Sequence, residues 1–459
     1  MRQAKTPARG LAAGWVLPSV TRDMTTLKLL RSRRFLPLFA VQFLGAFNDN
    51  VFKNAFLLLM TFKLAAKMGW SADNAVNAIG GLFIFPFLLF SAFAGQLADK
   101  LDKARLIRLT KLWEVIIMVA AGVGFAWEQP WALFAVIFAA GVQAAFFGPL
   151  KYGILPDHLR DDELMSGTGV IEMATFVAIL LGTLLGGFLV AQAGGTTVVS
   201  AAVPWVLLGI AGAGWAVSFF VPPAPATAAA FKIDANIFRE TWRLISYART
   251  QRGVFRTILG ISWFWAVGFV WLNLLPPYVK YVLHSDDPHL ATVFLTLFAV
   301  GIGLGSMLCN VLLRGTITAR YVPAAGLGLS LFTFDFLWVS RGVGATAFVL
   351  TSPVGLRICT DLAGLAVCGG LFSVPLYVIM TAWSEPSHRA RNIAANNVVN
   401  ALFMVGASIM AFALFKLGFN RLQVLGVMGG LNILVSAYIV TLVPESRLYR
   451  FFAGLRRKN

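Results

Sequence analysis

Phe47-Asn48-Asp49-Asn50, followed by Lys53, puts an acid, two amides and a cation within two helical turns. The group lies inside an apolar run from Phe35 to Phe62, long enough to cross a bilayer at about 20 residues per span. Counted from Phe35, Asp49 falls about 21 Å along a helix. A carboxylate at that depth costs about 2.5–3.5 kcal/mol on insertion scales and marks a functional site by default. Asp49 is suited to an amine. Lys53, at i+4 on the same face, is suited to a phosphate. An internal Asp49–Lys53 ion pair is the alternative, although a buried pair contributes little to stability.

Other apolar runs carry polar residues of the same kind. Asn396, Asn397 and Asn400 cluster on one stretch and offer amide donors, either to a head group or to neighbouring helices. Glu172 is a candidate gate or ion-coupling acid, or else an interhelical partner of Lys151. Asn273 is the polar residue of its run. Asp335 is a weaker candidate, of a kind that is more often structural.

The elements that position these residues follow from composition. Of 459 residues, 58% are hydrophobic and 13% charged, and mean hydropathy is +0.76. Such a chain is a polytopic membrane protein. Apolar runs give six spans between Phe35 and Val221 and six between Ile258 and Val443. The fifth is expected at Gly169–Ala191, the sixth at Val203–Val221 and the tenth at Leu362–Trp383. The fold class is therefore all-α, with twelve transmembrane helices in two six-helix pseudo-repeats, because helices satisfy their own backbone in lipid. The expected segments are a leader (1–34), a first bundle (35–222), a linker (223–256), a second bundle (257–443) and a basic tail (444–459).

The net charge of +18 invites a nucleic-acid reading, but its distribution argues against one. About 30 of the 38 basic residues fall in the leader, the linker, the tail and alternate connections such as Lys100–Lys111, which places both termini in the cytosol. No basic patch with interleaved aromatics forms a soluble module. In the linker, Asn236–Thr250 reads as an amphipathic helix with Phe238, Trp242 and Ile245 on one face. It lies either on the membrane surface or against the bundle's own ends. Gly182/Gly186, Gly301/Gly305 and Gly426/Gly430 have the spacing of close-packing helix faces. Cys309, Cys359 and Cys368 have no paired spacing, so neither disulfides nor a zinc site are expected.

Gly95-Gln96-Leu97-Ala98-Asp99-Lys100 through Arg105 resembles the signature loop of the major facilitator superfamily, with Lys100 where arginine is usual. Asp99 and Arg105 are positioned for a charge relay that latches one access state. Phe47-Asn48-Asp49-Asn50, Gly148-Pro149-Leu150-Lys151-Tyr152-Gly153, the Glu172 region and Gly369-Gly370-Leu371-Phe372-Ser373-Val374-Pro375 resemble the lysophospholipid transporter family. Leu259–Trp265 and Ala394–Met404 are most similar to the transporter part of longer bacterial proteins fused to an acyltransferase and an acyl-carrier ligase. The resemblance implies a major facilitator fold in the bacterial inner membrane. It also implies inward movement of lysophospholipids, especially of the ethanolamine class, between leaflets for reacylation by an acyltransferase on the cytosolic side. Membrane lipids are then partners as well as surroundings.

One departure stands out. Family members with a well-defined site can carry an intramembrane arginine on the seventh span, and none lies between Ile258 and Val279 here. The competing readings are an exporter of drugs or small metabolites with the same fold, and a non-transporting anchor for an acyltransferase. No phosphate-loop motif is present. None of His158, His284, His289 and His388 has an aspartate five positions on, as the fused acyltransferases require. The reading is a transporter without a catalytic site or cofactor.

Overall fold

The computed structural model describes residues 26–442, apart from 65–66, 71, 194–195, 231, 235, 286–287 and 344–349. The first part of the expected leader and the basic tail lie outside these residues. We label the main helices α1 (Leu36–Leu59), α2 (Ala72–Lys100), α3 (Lys103–Ala126), α4 (Pro130–Gly153), α5 (Asp161–Phe188), α6 (Val203–Ser218), α7 (Ile237–Thr250), α8 (Arg252–Tyr281), α9 (Pro288–Leu313), α10 (Val322–Arg341), α11 (Pro353–Trp383), α12 (Arg389–Lys416) and α13 (Arg421–Leu442).

Helix starts follow local chemistry. Asp102 caps α3 by accepting from the Arg105 N–H at 2.8 Å, and Ser352 caps α11 through the Gly355 N–H at 3.0 Å. Prolines open α1, α4, α6, α10 and α11, where a missing N–H is harmless. Asp161, Asp162 and Glu163 fill the first turn of α5, where negative charge suits the helix dipole.

Ten of these helices are long and apolar enough to cross a membrane. The expected first and sixth spans are occupied by α1, which carries the polar cluster, and by α6, which has only 16 residues. Ile116, Leu331, Ile409 and Leu434 are exposed on the outside of the bundle, as lipid-facing side chains are.

The fold is all-α as expected, with one short addition: Val190–Ala193 and Thr196–Val199 pair as an antiparallel hairpin between α5 and α6. Thr196–Val199 is a β-branched run, which favours strand over helix. The tenth span begins at Pro353 rather than Leu362, because the Ser352 cap starts the helix early. This puts Arg357 and Asp361 inside it. Finally, Gly426 and Gly430 do not form a close-packing face: a Cβ at Gly426 would meet only Leu337 Cδ1 at 3.3 Å, and one at Gly430 nothing within 4 Å.

The other two glycine pairs do pack closely. A Cβ at Gly182 or Gly186 would lie 2.5 or 2.6 Å from the Phe47 or Val51 carbonyl oxygen of α1. At Gly305 it would lie 2.1 Å from the Val367 carbonyl oxygen. These contacts seat α1 on α5 and α9 on α11 at backbone distance.

Packing repeats between the two halves. The pairs α1/α5, α2/α4, α3/α4 and α3/α6 recur as α8/α12, α9/α11, α10/α11 and α10/α13. The halves meet through α2 against α12 and, equivalently, α9 against α5. These interfaces are tight at the end of the bundle that carries the linker. A Cβ at Gly95 would sit 2.7 Å from Ala394 Cβ, and one at Gly169 would sit 2.7 Å from the Ser306 carbonyl oxygen. The linker end is closed.

Candidate functional site

Successive helical residues point about 100° apart, so Asn48, Asp49 and Asn50 cannot share a face. Asn48 is fully buried and its Nδ2 donates to Glu114 Oε1 on α3 at 3.3 Å. Asn50 Nδ2 donates to the Ala46 carbonyl at 2.7 Å, and its Cβ packs beside Gly182. Asp49 lies between them, half-buried, with no hydrogen-bond or ion-pair partner among the described residues. It feels the charges of Glu114, Lys111, Lys53 and Lys151, which come from α1, α3 and α4. A half-buried group whose charged neighbours come from three helices of one bundle faces the cleft between them rather than lipid.

Lys53 does not close on Asp49: the two make no contact ion pair, and Lys53 Nζ lies 5.7 Å from the Phe83 ring centroid. Lys151 is half-buried, with Nζ 4.7 Å from the Tyr152 ring centroid, and its charge acts on both Glu172 and Asp49. The acid and the cations thus share one cleft wall. Phe39, Phe43 and Phe47, all half-buried, stack along α1 at centroid spacings of 6.2 and 6.1 Å, and helical geometry turns this ladder away from the side that carries Asp49.

Below this wall the halves meet through aromatic rings. Tyr152 and Tyr377 stack at 4.6 Å, and Trp265 Nε1 donates to the Tyr377 hydroxyl at 2.7 Å. The Tyr152 hydroxyl donates to the fully buried Glu172, whose second oxygen has no hydrogen-bond partner. Asn396 is buried within reach of the Tyr377 hydroxyl, but its amide makes no well-directed hydrogen bond. Asn397 is half-buried, with Nδ2 against Gly148. Asn400 faces away and accepts from Ser262 Oγ at 2.7 Å, tying α12 to α8. Asn273 is exposed and bonds back to the Phe269 carbonyl at 2.7 Å.

At the linker end, Asp99 and Arg105 do not form the expected relay. Arg105 is exposed in the first turn of α3, where Asp102 caps its N–H. Asp99 reaches across to the other half. It accepts from the backbone N–H groups of Ala390 and Arg391 at 3.0 and 3.3 Å and pairs with Arg391 Nε at 3.0 Å. Beside it, Asp157 takes Lys103 at 3.0 Å and Arg389 at 3.2 Å. Hydrogen bonds to a charged group contribute about 1.5–3 kcal/mol each. Asp99→Ala is therefore expected to speed hydrogen exchange at the 390 and 391 amides by about ten-fold or more. Exchange mass spectrometry checks this, and unchanged exchange would remove Asp99 from the closure.

One charged cluster escaped the sequence reading. Lys111 and Glu114 pair at 2.6 Å, both buried, and Gln143 Nε2 donates to the same carboxylate at 3.2 Å. Lys111 had been counted with a basic connection; it lies within α3 instead. The available signal was Glu114 itself, an acid in an apolar run with a lysine three residues earlier. Asp335 pairs with Arg357 at 2.5 Å across α10 and α11, away from the cleft. A groove of about 890 Å³ between the far ends of α3 and α6 is lined by Trp127 and Trp205 and is also separate from Asp49.

The sequence pattern of the Major Facilitator Superfamily matches residues 38–364. The chain belongs to this superfamily. The Gly95–Arg105 segment lies within this match, and its Asp99 bridges the two halves. The chain is 28% identical to the lysophospholipid transporter LplT of Klebsiella pneumoniae over 402 residues, covering 85% of this chain and 92% of that protein. It is 27% identical to LplT of Citrobacter koseri over 80% of this chain and 85% of that one. Among solved structures, the human organic anion transporter MFSD10 superposes with a TM-score of 0.69 at 16% identity, covering 88% of this chain and 98% of that one. A bacterial homologue of the iron transporter ferroportin, in an outward-facing state, gives 0.62 at 12% identity, with 87% and 98% covered. These structures share the major facilitator fold.

Proposed function

We propose that the protein is a secondary transporter that moves lysophospholipids inward between the leaflets of the bacterial inner membrane, by alternating access. The linker end is then the cytosolic end, and the closed arrangement is the outward-facing one. The observation that carries the reading is the charged cluster of α1 and α4. Its unpaired carboxylate, Asp49, and two cations, Lys53 and Lys151, match the amine and phosphate of a zwitterionic single-chain lipid. Asp49 receives the amine, and Lys53 and Lys151 the phosphate. Lys53 and Lys151 supply the cations that an arginine on α8 would otherwise provide. Glu172, Tyr152 and Tyr377 form the floor that must part for release. Asn396 and Asn397 adjoin that floor as donors to the passing head group. No bond is made or broken in this cycle.

The test uses purified protein in proteoliposomes with isotopically labelled lysophosphatidylethanolamine. We expect protein-dependent movement from one leaflet to the other, with diacyl lipid left in place. Intact, folded protein that moves no lysophospholipid would overturn the proposal in favour of another substrate class or an anchoring role.

A further inference from the structure

The linker helix α7 has three distinct sides. Glu240, Leu244 and Ala248 are buried against the ends of α2, α8 and α12. Phe238 and Trp242, one turn apart, are 79% and 69% exposed. Arg239 and Arg243 form a third, also exposed, stripe, held by Asp234 at 2.7 and 3.0 Å. The sequence alternatives are therefore not exclusive, since the packed side and the aromatic side are different sides of one helix.

Both ends of α7 are tied at the level where spans end. Its last residue, Thr250, precedes the start of α8 by two positions. Just before its first turn, Asp234 is bound to Gln96, near the end of α2, by two hydrogen bonds of 2.8 and 3.2 Å. The helix thus runs along the bilayer surface rather than away from it. It also straps the closed gate. Thr227 and Ala228 donate to the Asp99 carbonyl at 3.0 and 2.8 Å on one half. On the other half Gln251 accepts from Asn392 at 2.9 Å, and Tyr247 stacks on His388 at 4.3 Å. Parting the halves requires α7 to release one of them.

We propose that the Phe238–Trp242 face and its flanking arginines dock onto anionic phospholipid head groups of the adjacent leaflet, and that this docking stabilises the closed linker end. Aromatic rings beside guanidinium groups suit the boundary between head groups and acyl chains. Asp234 is held near a pKa of about 2, chiefly by its hydrogen bonds to Arg239, and so stays ionised at neutral pH. The net charge of Arg239, Arg243, Arg249 and Asp234 is then +2. Each basic residue near an anionic surface adds about five-fold in affinity, giving about 25-fold for this face. The docked face is exposed while the strap is in place, so lipid and strap are compatible in the closed state. A ligand favours the state it binds better.

The test compares the whole protein in phosphatidylcholine vesicles with and without phosphatidylglycerol. Quenching by brominated lipid, taken as the difference between the parent and Trp242→Phe, reads contact of Trp242 with the bilayer. Hydrogen exchange across residues 389–397 reads closure and is independent of the transported substrate. We expect Trp242 to be quenched and exchange to slow several-fold in phosphatidylglycerol. A Phe238→Ser/Trp242→Ser variant, altered only at exposed positions, is expected to lose that response. An unquenched Trp242, or the same phosphatidylglycerol response in the variant, would overturn the proposal even where lysophospholipid transport is confirmed.

Discussion

Asp49→Ala is expected to reduce lysophospholipid movement in proteoliposomes to the level of protein-free vesicles, while the protein stays folded. The two halves of this expectation have separate causes. Asp49 is the one acid of the α1 cluster that faces the cleft without a partner among the described residues. A charge-assisted bond to an ammonium head group is worth about 1.5–3 kcal/mol, a factor of about 10–150 in binding, and the site offers no second carboxylate in an equivalent position. Folding gains nothing from Asp49, because a lone carboxylate deep in a span costs about 2.5–3.5 kcal/mol. The variant is expected to melt at the same temperature as the parent or higher. Asp49→Asn separates charge from shape and is expected to transport no better than alanine. Unchanged transport in Asp49→Ala would remove this residue from the mechanism.

Glu114→Ala is expected to do the reverse and to destabilise the fold by about 3–5 kcal/mol, the cost of stranding one member of a buried pair. Without Glu114, Lys111 keeps a buried ammonium packed against Gly45 and 4.9 Å from the Phe147 ring centroid. Asn48 loses its acceptor and Gln143 one of its two in the same step. Replacing both charges by apolar residues of similar volume, Lys111→Met with Glu114→Leu, is expected to restore most of the stability, as buried pairs often exchange for packing at little net cost. Thermal unfolding in detergent, followed by size-exclusion recovery, measures all three proteins. A single variant as stable as the parent would contradict the buried pair. Transport by the double variant then shows whether the field of this pair at Asp49 matters to the cycle.

Asp49 and Glu114 act on each other through their charges but differ in legibility. Asp49 was visible because an acid interrupts an apolar run and repeats a recognisable pattern. Glu114 interrupts a run in the same way, yet its partner Lys111 reads as the end of a basic connection, since charge counting assigns lysines near span ends to the loops. The depth of α3 became clear only from its packing. Asn48 and Asn50 show a related limit. Helical geometry requires that the three polar residues of the cluster point in different directions, but not which one meets the cleft. The close approach of Gly182 to α1 sets that rotation by leaving room for Asn50 on the α5 side.

Asp99 shows the same limit over a longer range. Its loop was recognisable, and the nearest basic residue in sequence was Arg105. The partner it takes is Arg391, 292 positions away, because the free N–H groups at the start of α12 and the Arg391 guanidinium converge on one carboxylate when the halves close.

By itself the sequence determined a membrane protein of many apolar helices, the superfamily resemblance and the few charged residues held within the spans. Those properties depend on composition and local periodicity, which are carried by neighbouring residues. Only the tertiary structure decided which polar residue is free, which is paired, and which end of the bundle is shut. Those properties depend on the rotation and contact of helices far apart in the chain, where one turn about an axis moves a carboxylate from a buried lysine to an open cleft.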